Sequence, residues 1–349
     1  MCIIFMLILI VGLYRIEIFP KGIYENYIGR EQTTAIKGLF ALIIFCSHMR
    51  KYIDLGGVYQ GQIYDYVLNS IGQLMVVMFL FYSGYGILET YKLKPDYEKS
   101  FIKRRFLKVL VHFDCAVFLY LIVDSILHIK YLPIDYLLCW IGWKAIGNSK
   151  WFVFDILLLY LVTYIAFKSI KWFSNKTEKI DKIKTLAISC LLETIFAIII
   201  LFFLKRNEGS WWYDTLLSFP CGMLFSCYKE KIEYLVKQNY VLTLTVNIIG
   251  FEIFYSINTF VTYNICACFF AMTIVLLTMK IKIQNNILNW LGKASFSIYI
   301  LQRIPMIILS YLKVNRNVVM FTGLSFISVI LIAILFEKFL NCLDNKIFC

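Results

Sequence analysis

Long apolar runs separated by short, lysine-rich polar stretches make up almost the whole chain. Runs at about 1–14, 34–49, 66–90, 106–127, 151–170, 186–204, 215–228, 240–256, 261–279, 290–312 and 318–340 read as membrane helices, since about 20 apolar residues are needed to cross a bilayer core. They predict an all-α fold, a polytopic transmembrane helical bundle of about 10–11 spans. No polar block between them is long enough to form a soluble domain, so residues 1–349 read as one integral membrane domain. Two runs are short. Residues 1–14 lack the basic start and small-residue cleavage pattern of a removable signal, and read as a short extra segment that spans or lies in the interface. Residues 215–228 contain Pro220 and Gly222, which predicts a broken or kinked helix lining the protein interior.

Composition agrees with this pattern: 60% of the 349 residues are hydrophobic and 16% charged, and the mean hydropathy is +0.74. The formal net charge of +13 sits in short loops, where the positive-inside bias accounts for it, so nucleic-acid binding is excluded as a function. Placing 15–33, 91–105, 171–185, 229–239, 280–289 and 341–349 on one side gathers Lys92, Lys94, Lys99, Lys103, Arg104, Arg105, Lys171, Lys176, Lys179, Lys182 and Lys184 there. That side is expected to be cytoplasmic. The eleven cysteines form no Cys-x-x-Cys pair and lie mostly within apolar runs, as small membrane-embedded hydrophobes do; no metal site is expected from them.

Against this background the ionisable residues inside apolar runs carry the functional signal, because each is costly in lipid. Lys37 and His48 are the sharpest case. Eleven residues is close to three helical turns, so the two share a face and stand about 16 Å apart along the axis. The orientation puts Lys37 near the cytoplasmic end and His48 near the opposite one. Asp124, Asp155 and Glu252 fall toward outer ends of spans, where they line a polar chamber or else snorkel or cap helices. Glu193 falls nearer mid-membrane, with His112 and Asp114 toward the inner side.

Read with its neighbours, Lys37-x10-His48 resembles the Arg/Lys-x10-His signature of the acyltransferase-3 family of integral membrane acyltransferases. Further matches follow in the family's order. Phe79-Leu-Phe-Tyr-Ser83-Gly84-Tyr85 is similar to its Ser-Gly-Tyr segment, Phe101-Ile-Lys-Arg104-Arg105-Phe-Leu-Lys108 to its basic turn, and Trp151-Phe152 with Tyr160 to its Trp-Phe helix opening. Phe219-Pro-Cys-Gly222-Met223 resembles its Phe-x-x-Gly-Met step, and Leu291-Gly292-Lys-Ala-Ser295-Phe-Ser297-Ile-Tyr299 its Ser-rich late segment. The resemblance covers about 30–340. Gln302 stands where many relatives carry a histidine, the proline that often follows the basic turn is missing, and no soluble hydrolase-type domain follows the membrane part.

The resemblance implies an O-acyltransferase, with acetyl transfer as the expected reaction and acyl-CoA, acetyl-CoA by expectation, as co-substrate rather than a permanently bound cofactor. The acceptor expected is a hydroxyl of a cell-surface or lipid-linked carbohydrate, in a bacterial plasma membrane. His48 takes the role of general base, which imidazole fits at neutral pH. Lys37, Arg104, Arg105 and Lys108 read as a site for coenzyme A phosphates, although a positive-inside anchor would give Arg104 to Lys108 the same look. Trp151, Asp155, Glu252, Ser295 and Tyr299 form the expected substrate-binding set. Small residues such as Ser83, Gly84, Ser295 and Ser297 also serve close helix packing. Trp151, Trp211 and Trp212 fit an aromatic belt, and Trp211 and Trp212 fit sugar stacking as well. A transporter or flippase for a lipid-linked or small anionic substrate is the rival reading of the same buried charges.

Overall fold

The computed structural model describes residues 2–53, 72–94, 96–177 and 182–348. Residues 66–71 of the third predicted span, and Lys179 of the predicted basic loop, lie outside the described residues; so do the side chains of Lys176 and Lys182.

The chain is a helical bundle. Among its helices are α1 (Cys2–Leu13), α2 (Arg30–Met49), α3 (Val77–Leu93), α4 (Lys108–Ile126), α5 (Trp151–Thr177), α6 (Lys182–Asn207), α7 (Ser218–Cys227), α8 (Tyr240–Ile257), α9 (Phe260–Thr278), α10 (Asn286–Lys293), α11 (Ser295–Leu301), α12 (Arg303–Tyr311) and α13 (Val318–Ile347). Seven helical stretches among the described residues are long and apolar enough to cross a membrane. The pair Asn286–Lys293 and Ser295–Tyr311, bent by 60° at the break between them, is either an eighth, broken span or a re-entrant loop. The 20 residues of α2 reach about 30 Å, but Arg30, Glu31 and Lys37 make it more polar than these.

The 12 residues of α1 reach about 18 Å, a length that suits the interfacial reading of residues 1–14. One predicted span is corrected: the 10 residues of α7 give a rod of about 15 Å, too short to cross. Nor does Pro220 break α7. It stands in the first helical turn, where a missing N–H costs nothing, and Ser218, Phe219, Gly222, Met223 and Phe225 are all buried.

Glycines set the closest helix crossings. A Cβ on Gly84 would stand 2.1 Å from the carbonyl oxygen of Phe219, and one on Gly222 would stand 2.0 Å from that of Phe81. The same reciprocity joins α2 to α10: a Cβ on Gly38 would meet the Leu288 oxygen at 2.0 Å, and one on Gly292 the Thr34 oxygen at 1.8 Å. In lipid, where apolar surface gains little by leaving its solvent, such backbone-to-backbone approach is what holds helices together.

Hydrogen bonds gather the stretches assigned to one side. A two-stranded antiparallel ladder pairs Ile16 with Ile283 and Ile18 with Ile281, and Gln32 bridges it, donating to Ile281 O at 2.7 Å and accepting from Ile283 N at 3.0 Å. The Tyr27 hydroxyl donates to Glu233 at 2.9 Å, and Lys171 pairs with Glu98 at 3.1 Å. At the other end Gln73 donates to Trp211 O at 2.8 Å and Asn315 to Tyr52 O at 2.9 Å. The long axis of α2 joins these two ends.

Candidate active site

One face of α2 carries Lys37, Ala41, Ile44 and His48 at steps of four, three and four residues, the spacing of a straight helical stripe. Ala41 and Ile44 line a narrow cavity of about 50 Å³ together with Val76, Phe79, Phe152, Ser295, Phe296 and Tyr299. Ile44, Val76 and Tyr299 also belong to the wall of a second, larger cavity of about 640 Å³, which holds His48. The stripe therefore runs from a cation, past an apolar neck, to an imidazole in a polar chamber.

His48 occupies the last turn of α2, before a single 3₁₀ turn over Arg50–Tyr52. The Ser149 hydroxyl stands 3.4 Å from its Nδ1, and the Tyr299 ring centroid is 6.0 Å away. Nε2 makes no hydrogen bond among the described residues. Ser149 comes from the loop before α5, which is turned by Gly147 at φ +80°, a conformation that favours glycine. Arg50, Lys51, Gln73, Asn148, Lys150, Trp151, Trp211 and Arg303 contribute further wall. Nε of Arg303 and Oε1 of Gln302 are buried and find no hydrogen-bond partner among the described residues. Of the two, only Arg303 belongs to the chamber wall; buried polar atoms are nearly always paired within a protein, which makes its Nε stand out.

Outside the spans, two lysines of this wall are perturbed. Burial lowers Lys51 from the usual lysine value, and the neighbouring Arg303 and Arg50 add to the effect. Burial also lowers Lys150, whose ammonium lies 4.8 Å from the Trp212 ring centroid and donates to the Trp143 carbonyl.

The cationic end divides differently from the sequence expectation. Lys37 lies within electrostatic reach of Arg30 and Arg105. Arg105 donates from Nε to the Tyr97 hydroxyl at 2.7 Å, and the basic turn that carries it, Ile102–Leu107, is π-helical. That wider turn separates the side chains of the basic segment: Arg104 is exposed while Arg105 is half-buried. Lys108 departs from the expected phosphate cluster. Its ammonium pairs with Asp344 at 2.6 Å, and the other oxygen of that carboxylate holds His112 Nε2 at 2.8 Å, so its charge is already answered within the bundle.

Of the expected substrate-binding set, Trp151, Ser295 and Tyr299 meet at the two cavities. The Ser295 hydroxyl donates to Gly292 O at 2.8 Å, a bond within its own bend. Asp155 is buried one turn beyond Trp151, and neither oxygen has a partner among the described residues; it lies within electrostatic reach of Tyr299 but is not part of either wall. Glu252 is not brought to the site. It is exposed on α8, a helix without a buried residue. Trp212 is buried and outside the chamber wall, whereas Trp211 belongs to it.

A family model for an acyltransferase domain matches residues 33–338. The chain belongs to the acyltransferase-3 family. No curated protein and no solved structure matches it significantly. Acyltransferase-3 membership makes the chain a membrane acyltransferase, and the matched range contains both the Lys37–His48 stripe and Arg303.

Arg303, Ser149 and Lys150 were not singled out in the sequence. Arg303 offered a signal of the kind that marked Lys37: it is a cation inside the apolar run 290–312, one helical turn after Tyr299. Ser149 and Lys150 offered none, because a polar loop residue next to a helix start is ordinary.

Proposed function

We propose that the protein is an acyl-CoA-dependent O-acetyltransferase whose acceptor is a hydroxyl of a surface or lipid-linked glycan in a bacterial plasma membrane. The observation that carries this reading is the α2 stripe, which joins a cation to an imidazole through an apolar neck. Lys37 and Arg105 hold donor phosphates at the basic end, with Arg104 as an outlying exposed cation. The acyl thioester is carried along the neck past Ala41 and Ile44. The glycan occupies the chamber, with Trp151 and Trp211 offering ring faces to sugar carbons.

At the meeting point His48 accepts the acceptor's hydroxyl proton as that oxygen attacks the thioester carbonyl. The tetrahedral oxyanion lies in the field of Arg303. Collapse breaks the carbon–sulfur bond, and the thiolate takes the proton back from the imidazolium. Ser149 fixes the ring by its contact at Nδ1, which leaves Nε2 for the proton transfers. A glycan acceptor fits a chamber of about 640 Å³, within the usual size of small-ligand sites.

The test is transfer of labelled acetyl from acetyl-CoA to a glycan fraction by purified protein. His48→Ala should slow transfer by about 10²–10⁴-fold, the usual contribution of a general base, with an unchanged thermal midpoint. Transfer at the parent rate would remove His48 from the mechanism.

A further inference from the structure

Three cationic side chains, Lys51, Lys150 and Arg303, line the chamber around His48 beside Arg50, which is engaged by a further interaction of its own, and no carboxylate among the described residues lines it. A site for a neutral sugar has no use for such an excess. Neutral hydroxyls are met by paired donors and acceptors and by aromatic faces, which Gln73, Asn148, Trp151 and Trp211 already provide. The cations also stand close enough to oppose one another: Lys51 is pushed below the usual lysine value by burial and then by Arg303 and Arg50. Like charges gathered beside a cavity are a standing cost that a bound anion removes. Carboxylates do lie nearby. Glu208 and Asp135 act on Lys150 from outside the wall, and Asp155 is buried behind Tyr299, but none of these reaches the Arg303 Nε as a partner.

Resting on the acyl-transfer reading above, we infer that the acceptor glycan itself bears an anionic group, a carboxylate or a phosphate, which Arg303, Lys51 and Lys150 hold while the reacting hydroxyl faces His48. Arg303 is the anchor, since its guanidinium can meet a carboxylate or phosphate through two parallel bonds. Lys51 and Lys150 flank it as point charges. The anion thereby fixes which hydroxyl reaches the imidazole, and the same positive wall stabilises the oxyanion that forms on the thioester carbonyl oxygen when that hydroxyl attacks.

The donor also carries phosphates, so the experiment separates the two sources. Membranes containing the full chain receive labelled acetyl-CoA, and their glycans are released from any lipid carrier by mild acid and passed over an anion exchanger at neutral pH. Protein-dependent label is expected in the retained fraction, and its sensitivity to phosphatase tells phosphate from carboxylate. Label in the unretained, neutral fraction would overturn the inference. Label in neither fraction would instead bring down the acyl-transfer reading on which it rests. With the labelled acceptor fraction in hand, the purified Lys51→Ala/Lys150→Ala variant should raise the acceptor KM about 10- to 100-fold, the scale of losing charge-assisted bonds, with the acetyl-CoA KM unchanged. A rise confined to the acetyl-CoA KM would assign these cations to the donor and overturn the inference as well.

Discussion

At the scale of single residues, His48 depends on what holds its ring. Ser149, 3.4 Å from Nδ1, is its one hydrogen-bond partner among the described residues. Ser149→Ala should therefore lower kcat by a factor of about 5, the worth of one net hydrogen bond of about 1 kcal/mol, with little effect on the donor KM. Steady-state kinetics checks the split. Asp214, at the C-terminal end of the short helix Ser210–Tyr213, gives a pH-dependent prediction. Burial pushes its carboxyl up to about 6, against a smaller opposing effect of the Ser210 hydrogen bond. A raised carboxyl favours the folded state while it is protonated, so its stabilisation is full below the ordinary carboxylate value near 4 and lost as pH rises through about 6. Asp214→Asn should thus raise the thermal midpoint at pH 7.5, while at pH 4 the two proteins melt nearly together.

Helix pairs are the next scale, and here glycine decides. Gly84 and Gly222 lock α3 to α7, and Gly38 and Gly292 lock α2 to α10, each through contact with a carbonyl oxygen that cannot swing away. Gly222→Ala and Gly292→Ala should each cost about 1–3 kcal/mol, as overpacking does, read as a lower thermal midpoint in detergent. Part of this was legible beforehand, because Ser83-Gly84 are small residues within an apolar run and small residues mark close helix approach, whereas Gly222 read with Pro220 as a break. The π-helical turn at Ile102–Leu107 and the 60° bend at Ala294 were not. Neither is written in apolar periodicity, since both follow from how neighbouring helices seat the segment. Pro220 was misleading for a related reason: a proline reads as a break until the start of the helix is known.

Over the whole molecule, apolar runs and loop charges were enough to give a helical membrane bundle with a basic end, and the Lys37–His48 stripe was legible because one helix carries both groups. The chamber was only partly so. Trp151 and Tyr299 were marked by motif, but Arg303, Ser149 and Lys150 reach His48 from parts of the chain 101 or more residues away, and only tertiary packing brings them there. The ion pair of Lys108 was hidden for the same reason, since Asp344 lies 236 positions along the sequence. What the proposed function adds is a division of labour between the ends of the bundle: donor phosphates at Lys37 and Arg105 below an apolar neck, base and acceptor in the chamber around His48. Sided membrane vesicles carrying their own glycans test that division most directly. Labelled acetyl-CoA supplied to the basic face should label glycan in parent vesicles and not in His48→Ala vesicles, and the same donor supplied only to the opposite face should label neither. Equal labelling from both faces, or labelling that survives His48→Ala, would contradict the account.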